Sequence, residues 1–203
     1  STIPLFTLFQ QSRVIDITRS LIDIYQHEGY MPDGRSGMSN GITQGGSNAD
    51  MVVAEVFLKN FTNNINWTLA YKALLKDAEY NPWERGIFEG RMFLPYYKAL
   101  GYIPFPTHRM LSYAYVPCSR TIEYSTNDWS IALVAKKLNK EADYIKYQSR
   151  AKNWENLWYP HKTIKGAKGF ILPRFINGSF DTSWNVFNRS ENIPYYEGSA
   201  WEY

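Results

Sequence analysis

Apolar residues recur along the first half of the chain at the spacing of one helical face. Val14, Ile17, Leu21, Ile24 and Tyr25 form one such set, and "HEGYMP" closes it with Gly29 and Pro32, residue types that end helices. Ser47, with Asp50 three positions on, resembles a capping box with Asp in place of the usual Glu. The segment it opens, "ADMVVAEVFLKN", is apolar almost all round, which predicts a helix buried on most sides. Asn66 is placed to cap a third helix, whose Trp67, Ala70, Tyr71, Leu74, Leu75 and Ala78 make one stripe, with Pro82 just beyond. "GRMFLPYYKALGY" predicts a fourth helix, its start restricted by Pro95. "TIEYSTNDWSIALVAKKLNK" and "EADYIKYQSRAKNWENLW" supply two more, the last with Tyr144, Gln148, Ala151, Trp154 and Trp158 along one side.

From Tyr159 to Ser190 the periodicity fades and Gly, Pro, Asn and Ser become frequent, so "GFILPRFINGSF" reads as a short hairpin or an ordered loop. One internal echo organises the helices: "YQHEGYMP" (Tyr25 to Pro32) recurs as "YKALGYIP" (Tyr97 to Pro104). Each reads as a helix end, a glycine cap, an aromatic, an apolar residue and a proline stop. Amphipathic and fully buried helices in alternation fit a double-ringed α/α barrel, and an ordinary helical bundle fits them nearly as well. The predicted class is mainly all-α, with a short irregular or β-hairpin segment within 159–190.

Composition narrows the functions. The 203 residues can form one sizeable domain, and 44% hydrophobic against 20% charged places the chain among globular proteins. Its aromatic excess is mostly Tyr and Trp, flat rings with a polar handle that suit a tyrosine-rich core or a sugar site. The net charge of +3 is scattered, with no Lys/Arg block, which argues against a nucleic-acid partner or a polybasic membrane patch. Runs such as "MVVAEVFL" are too short to span a bilayer. Cys118 is the single cysteine, which excludes an internal disulfide, and His27, His108 and His161 lack metal-ligand spacing. Four N-x-S/T sequons, at Asn60, Asn66, Asn177 and Asn188, point towards a secreted eukaryotic protein.

Three constellations carry candidate chemistry. Glu197 stands among Tyr195, Tyr196, Trp201 and Tyr203, whose rings would desolvate its carboxyl and favour a protonated acid; the alternative is a helix-capping Glu. Glu202 falls on a different face. In "SRTIEYSTNDW", Arg120, Glu123 and Asn127 share one side of a helix, suited either to gripping sugar hydroxyls or to an internal Arg–Glu lock. "GITQGGSNADMV" places two glycines before a buried helix, as a close ligand approach or a tight turn requires, without a P-loop lysine or a dinucleotide fingerprint.

In chain order, "IPLFTL", "SLIDIYQHEGYMPD", "GITQGGSNADMVVAEVFLK", "LGYIP", "SRTIEYSTNDW" and "YYEGSAWEY" resemble the catalytic domain of glycoside hydrolase family 92, the calcium-dependent exo-α-mannosidases. The likeness covers essentially all 203 residues, and "TQGGSNAD" and "YEGSAWEY" are similar to its fungal branch. The resemblance implies an (α/α)6 barrel, normally preceded by a β-sandwich domain. It also implies inverting removal of terminal α-linked mannose, often 1,2-linked, from N-glycans or mannans. The family's general acid is the Glu of Y-E-G-x-x-W-x-Y, which here is Glu197. Asn48, Asp50, Arg120 and Glu123 are implied as substrate-binding residues.

Inversion also needs a second carboxylate about 6.5–9.5 Å away to activate water. In the family that base and most calcium ligands lie downstream, and a W-D motif that binds the terminal mannose lies just before the first residue. No metal ligand is therefore expected within this chain. The resemblance implies an internal slice, incomplete at both ends and equal to roughly the first half of the barrel, inactive without the remainder. A non-catalytic glycan-binding protein on the same scaffold, or a purely structural helical-repeat protein, remains the alternative.

Overall fold

The computed structural model describes residues 2–33, 35–36, 39–40, 46–61, 64–82, 90–105, 115–189, 194–196 and 198–203. The helices in chain order are α1 (Thr2–Phe9), α2 (Gln11–Glu28), α3 (Asn48–Leu58), α4 (Trp67–Glu79), α5 (Leu94–Leu100), α6 (Pro117–Lys137) and α7 (Glu141–Arg150). A two-residue ladder, β1 (Arg35–Ser36) with β2 (Ser39–Asn40), precedes α3. A 3-10 turn (Asn153–Leu157) leads from α7 into an antiparallel hairpin, β3 (Trp158–Ile164) with β4 (Ala167–Ile171). This is the mainly α architecture that the hydrophobic pattern predicts.

Helix α6 is the long central element, packed against α7, α3 and α4, while α2 lies on α3 and α4. One apolar core joins Val14 and Ile22 of α2, Val53 and Phe57 of α3, Leu74 of α4, Ile131 and Val134 of α6 and Tyr147 of α7. Each such aliphatic side chain contributes about 1.5–3 kcal/mol by leaving water. A second core lies under the hairpin and joins Phe170, Ile171 and Leu172 to Tyr102, Leu157, Tyr195 and Cys118, the last from the first turn of α6. Helix α6 therefore belongs to both sub-assemblies, its C-terminal half to the first and its first turn to the second.

The internal echo is a repeated structural device. Gly29 and Gly101 take left-handed conformations (φ 89° and 75°) and donate their N–H groups to Tyr25 and Tyr97 carbonyls at 2.9 and 3.0 Å. Such φ values carry a steric penalty for any residue with a Cβ, and at Gly101 a Cβ would also lie 2.6 Å from Asn156. The apolar residue that follows is then capped by a side chain: Met31 N–H donates to Asp77 and Ile103 N–H to Thr121. Asn66 caps α4 as expected, its side chain accepting from Leu69 N–H at 3.1 Å.

Two expectations are corrected. Ser47 and Asp50 flank the start of α3 without forming a capping box, because Ser47 Oγ donates to Asp77 and Asp50 pairs with Arg91. These buried partners outcompete the local cap. The last helical pattern also stops early: α7 ends at Arg150, and Trp154 and Trp158 lie beyond it, in the 3-10 turn and in β3. There Asn156 donates to the Gly101 carbonyl at 3.1 Å and Leu157 is fully buried, so tertiary contacts override the helical period. The hairpin consequently begins before "GFILPRFINGSF"; its two-residue turn is Lys165 and Gly166, both at positive φ, as the right-handed twist of a tight hairpin favours.

Candidate active site

The first three turns of α6 carry Ser119, Arg120, Glu123, Tyr124 and Asn127. Opposite them lie Asp33 and the segment that opens α3. Asn127, fully buried, accepts the Ser47 N–H at 3.0 Å and donates to the Ser47 carbonyl at 3.1 Å, gripping that backbone from both sides. Gly46 then passes directly over the site: a Cβ there would sit 3.0 Å from the Glu123 carboxylate and 3.1 Å from the Asn48 amide oxygen. A side chain at this position would require both groups to shift by a few tenths of an ångström.

Asn48 donates to Asp33 at 2.8 Å. Burial, and then the nearby Asp33 carboxylate, raise the pKa of Glu123. Asn48 and Glu123 are both partly accessible, and Asn48 also borders a hollow of about 370 Å³ between α1 and α3, lined by Ile3, Pro4, Met51, Val52 and Glu55. Two carboxylates and a carboxamide gathered beside a glycine offer both hydrogen-bond acceptors and donors. Arg120 is buried behind this surface, donating to the Tyr124 hydroxyl at 3.1 Å.

Asp50 turns into the interior. Its carboxylate binds Arg91 at 2.9 Å, and Arg91 reaches Asp128 at 2.5 Å, all three fully buried. Asp128 continues to Arg150 at 2.9 Å, and Arg150 to Glu79 at 2.7 Å, where Lys98 and Lys146 join at 2.8 Å each. Burial pushes the Asp50 carboxyl up to about 6 despite Arg91. Burial, and then Asp50, raise Asp77 well above the usual carboxylate range. Glu79 goes the other way: burial alone would raise it, but Lys146, Lys98, Arg150 and Tyr147 bring it down to about 2.

The C-terminal segment is docked across the start of α6. Cys118 N–H donates to the Pro194 carbonyl at 3.1 Å, and Tyr196 N–H donates to Ser119 Oγ at 2.8 Å. Ser119 Oγ also shares a 2.6 Å hydrogen bond with the Tyr203 hydroxyl. Farther along, Ser199 N–H and Oγ donate to Glu202, and Trp201 N–H to the Val186 carbonyl. Glu197 itself lies outside the described residues.

Helical spacing places Arg120, Glu123 and Asn127 together on α6, as the structure has them, while Asn48, named through the resemblance alone, lies opposite Glu123 across Gly46. Asp33, Ser119 and Arg91 were missed, because each acts through a partner distant in sequence. Among the described residues no group of three or more His, Cys, Asp or Glu is disposed to hold a metal ion. The sequons Asn60, Asn66, Asn177 and Asn188 are all exposed. Among the described residues no helix is long and apolar enough to cross a membrane.

The helical layers are those of a helical-barrel domain. The chain belongs to glycoside hydrolase family 92: the model described as the glycosyl hydrolase family 92 catalytic domain matches residues 1–203. It is similar, at 40% identity over 168 residues, to an uncharacterized secreted glycosidase of Arthroderma benhamiae, covering 79% of this chain and 21% of that protein. A family 92 inverting mannosidase of Bacteroides thetaiotaomicron superposes with a TM-score of 0.84 at 27% identity, over 99% of this chain and 25% of its own. A family 92 α-mannosidase of the same organism, solved also with mannoimidazole, gives 0.79 at 26% identity, over 98% of this chain and 24% of its own. The chain therefore spans about a quarter or less of the length of these relatives.

Proposed function

We propose that the full-length protein is a secreted, inverting, calcium-dependent exo-α-mannosidase that removes terminal α-linked mannose, 1,2-linked mannose included, from N-glycans or mannans. The match of the family over the whole chain carries this reading, together with the mannosidase activity named for the structures it superposes on. In this reading the present residues form roughly the first half of an (α/α)6 barrel. The remainder, with a preceding β-sandwich domain, supplies the general base and the calcium ligands. The segment alone is then inactive.

Glu197 is the general acid in this proposal and gives its proton to the departing glycosidic oxygen as the C1–O bond breaks. Water activated by a carboxylate elsewhere in the full protein attacks C1 from the opposite face, which inverts the anomeric centre. Asn48 and Glu123 hold sugar hydroxyls, while Asp50 and Arg120 act from behind, by fixing the start of α3 and the Tyr124 hydroxyl. Asn60, Asn66, Asn177 and Asn188 are the proposed glycosylation sites, in keeping with secretion.

Proton NMR of the hydrolysis of methyl α-1,2-mannobioside, whose second sugar is locked as a methyl glycoside, by the full-length protein tests the reading. β-Mannose should appear first and equilibrate later, and removing calcium with a chelator should abolish release. Initial formation of α-mannose, or release indifferent to the chelator, would contradict it.

A further inference from the structure

We propose that Ser119 is a positioning residue for the acid step, an inference that rests on reading Glu197 as the general acid. Its hydroxyl behaves unlike its neighbours on α6. Thr121, Ser125 and Thr126 each donate to the carbonyl four residues back in their own helix, at 2.7, 2.7 and 3.2 Å. Ser119, buried to 1% exposure, turns instead to the C-terminal segment. Its Oγ accepts the Tyr196 N–H at 2.8 Å and bonds the Tyr203 hydroxyl at 2.6 Å.

One hydroxyl thus fixes the residue immediately before Glu197 and an aromatic side chain six positions after it. The adjacent Cys118 N–H holds Pro194 at 3.1 Å, so one helical turn grips this segment at three points. That turn is stiff, with Pro117 in its first position and Pro117, Cys118 and Ser119 all buried. From the far side Tyr195, buried to 1%, donates its hydroxyl to the Ile171 carbonyl at 2.6 Å, pinning the same segment to the hairpin. The clamp stands on the helix that also carries Glu123, so it sets the segment's register against the sugar-facing surface.

Proton donation to a poor leaving group depends on sub-ångström placement, whereas departure of a stable anion needs no proton. Leaving-group dependence therefore separates a positioning role from a merely structural one. The experiment compares kcat and KM of the full-length protein on α-1,2-mannobiose and on 2,4-dinitrophenyl α-mannoside, for the wild type, Ser119→Ala, Ser119→Thr and Glu197→Gln. Ser119→Ala should lose roughly 10- to 100-fold in kcat on the disaccharide, with KM and dinitrophenyl turnover little changed. Ser119→Thr, which keeps the hydroxyl, should recover most of the loss.

Tyr203→Phe breaks the same link from the segment's side and carries the same expectation if Ser119→Ala does not fold. Equal losses on both substrates in the serine and tyrosine variants, or none, while Glu197→Gln discriminates between them, would overturn the inference and leave the function intact. If Glu197→Gln itself does not discriminate, the acid assignment falls and the inference falls with it.

Discussion

At the residue scale one amide grips the backbone at the start of α3, beside the side-chain bonds of Ser47 to Asp77 and Asp50 to Arg91. Asn127 makes the two hydrogen bonds to Ser47 that a neighbouring β-strand would make, without a strand being present. Asn127→Ala leaves a donor and an acceptor unpaired in a buried site, at a cost of about 2–4 kcal/mol. Hydrogen exchange of the segment around Ser47 in the full-length protein should accelerate by roughly 30- to 1000-fold, the equivalent of that cost, if this opening is local. Unchanged protection would mean that the grip contributes nothing. The sequence placed Asn127 beside Arg120 and Glu123 by helical spacing, but its partner lies 80 positions away and no local pattern reports that pairing. Glu123 was legible for the same reason that Asp33 was not: one lies on a periodic face, the other just after a proline stop.

At the element scale the helices are joined by ions as well as by apolar surface. Asp50, Arg91, Asp128, Arg150 and Glu79 run from α3 through α6 and α7 to the end of α4. Buried pairs of this kind seldom add much net stability, but removing one member strands a charge. At the Glu79 end the sign of the pH effect is defined. Its folded pKa of about 2 lies below the ordinary 4.5, so its stabilisation is present above pH 4.5 and fades as pH falls towards 2.

Glu79→Gln should therefore destabilise the full-length protein by on the order of 3 kcal/mol at neutral pH, with the deficit shrinking through that acid window. Denaturant unfolding of both forms across pH reads this, and a deficit independent of pH would contradict it. Helix existence was legible throughout α2 to α6, because Val14 to Tyr25 and Trp67 to Ala78 carry a clear period. The end of α7 was not, since Arg150 stops the helix where it can reach Asp128 and Glu79, while Asn156 ties the next turn to Gly101.

At the scale of the whole molecule, two sub-assemblies meet at one place. The helical core fills the C-terminal half of α6, the hairpin core reaches its first turn through Cys118, and the segment containing Glu197 crosses that junction. The order of motifs in the sequence was enough to reach the family, while the way the last ten residues fold back onto α6 required coordinates. The central claim is that this junction presents a general acid. Mannose release from α-1,2-mannobiose by the full-length protein, beside Glu197→Gln of matched circular dichroism, tests it most directly. A fall of about 10²–10⁴-fold in the variant is the expected result. Undiminished release would contradict the claim and leave Glu197 a residue that serves only its local backbone.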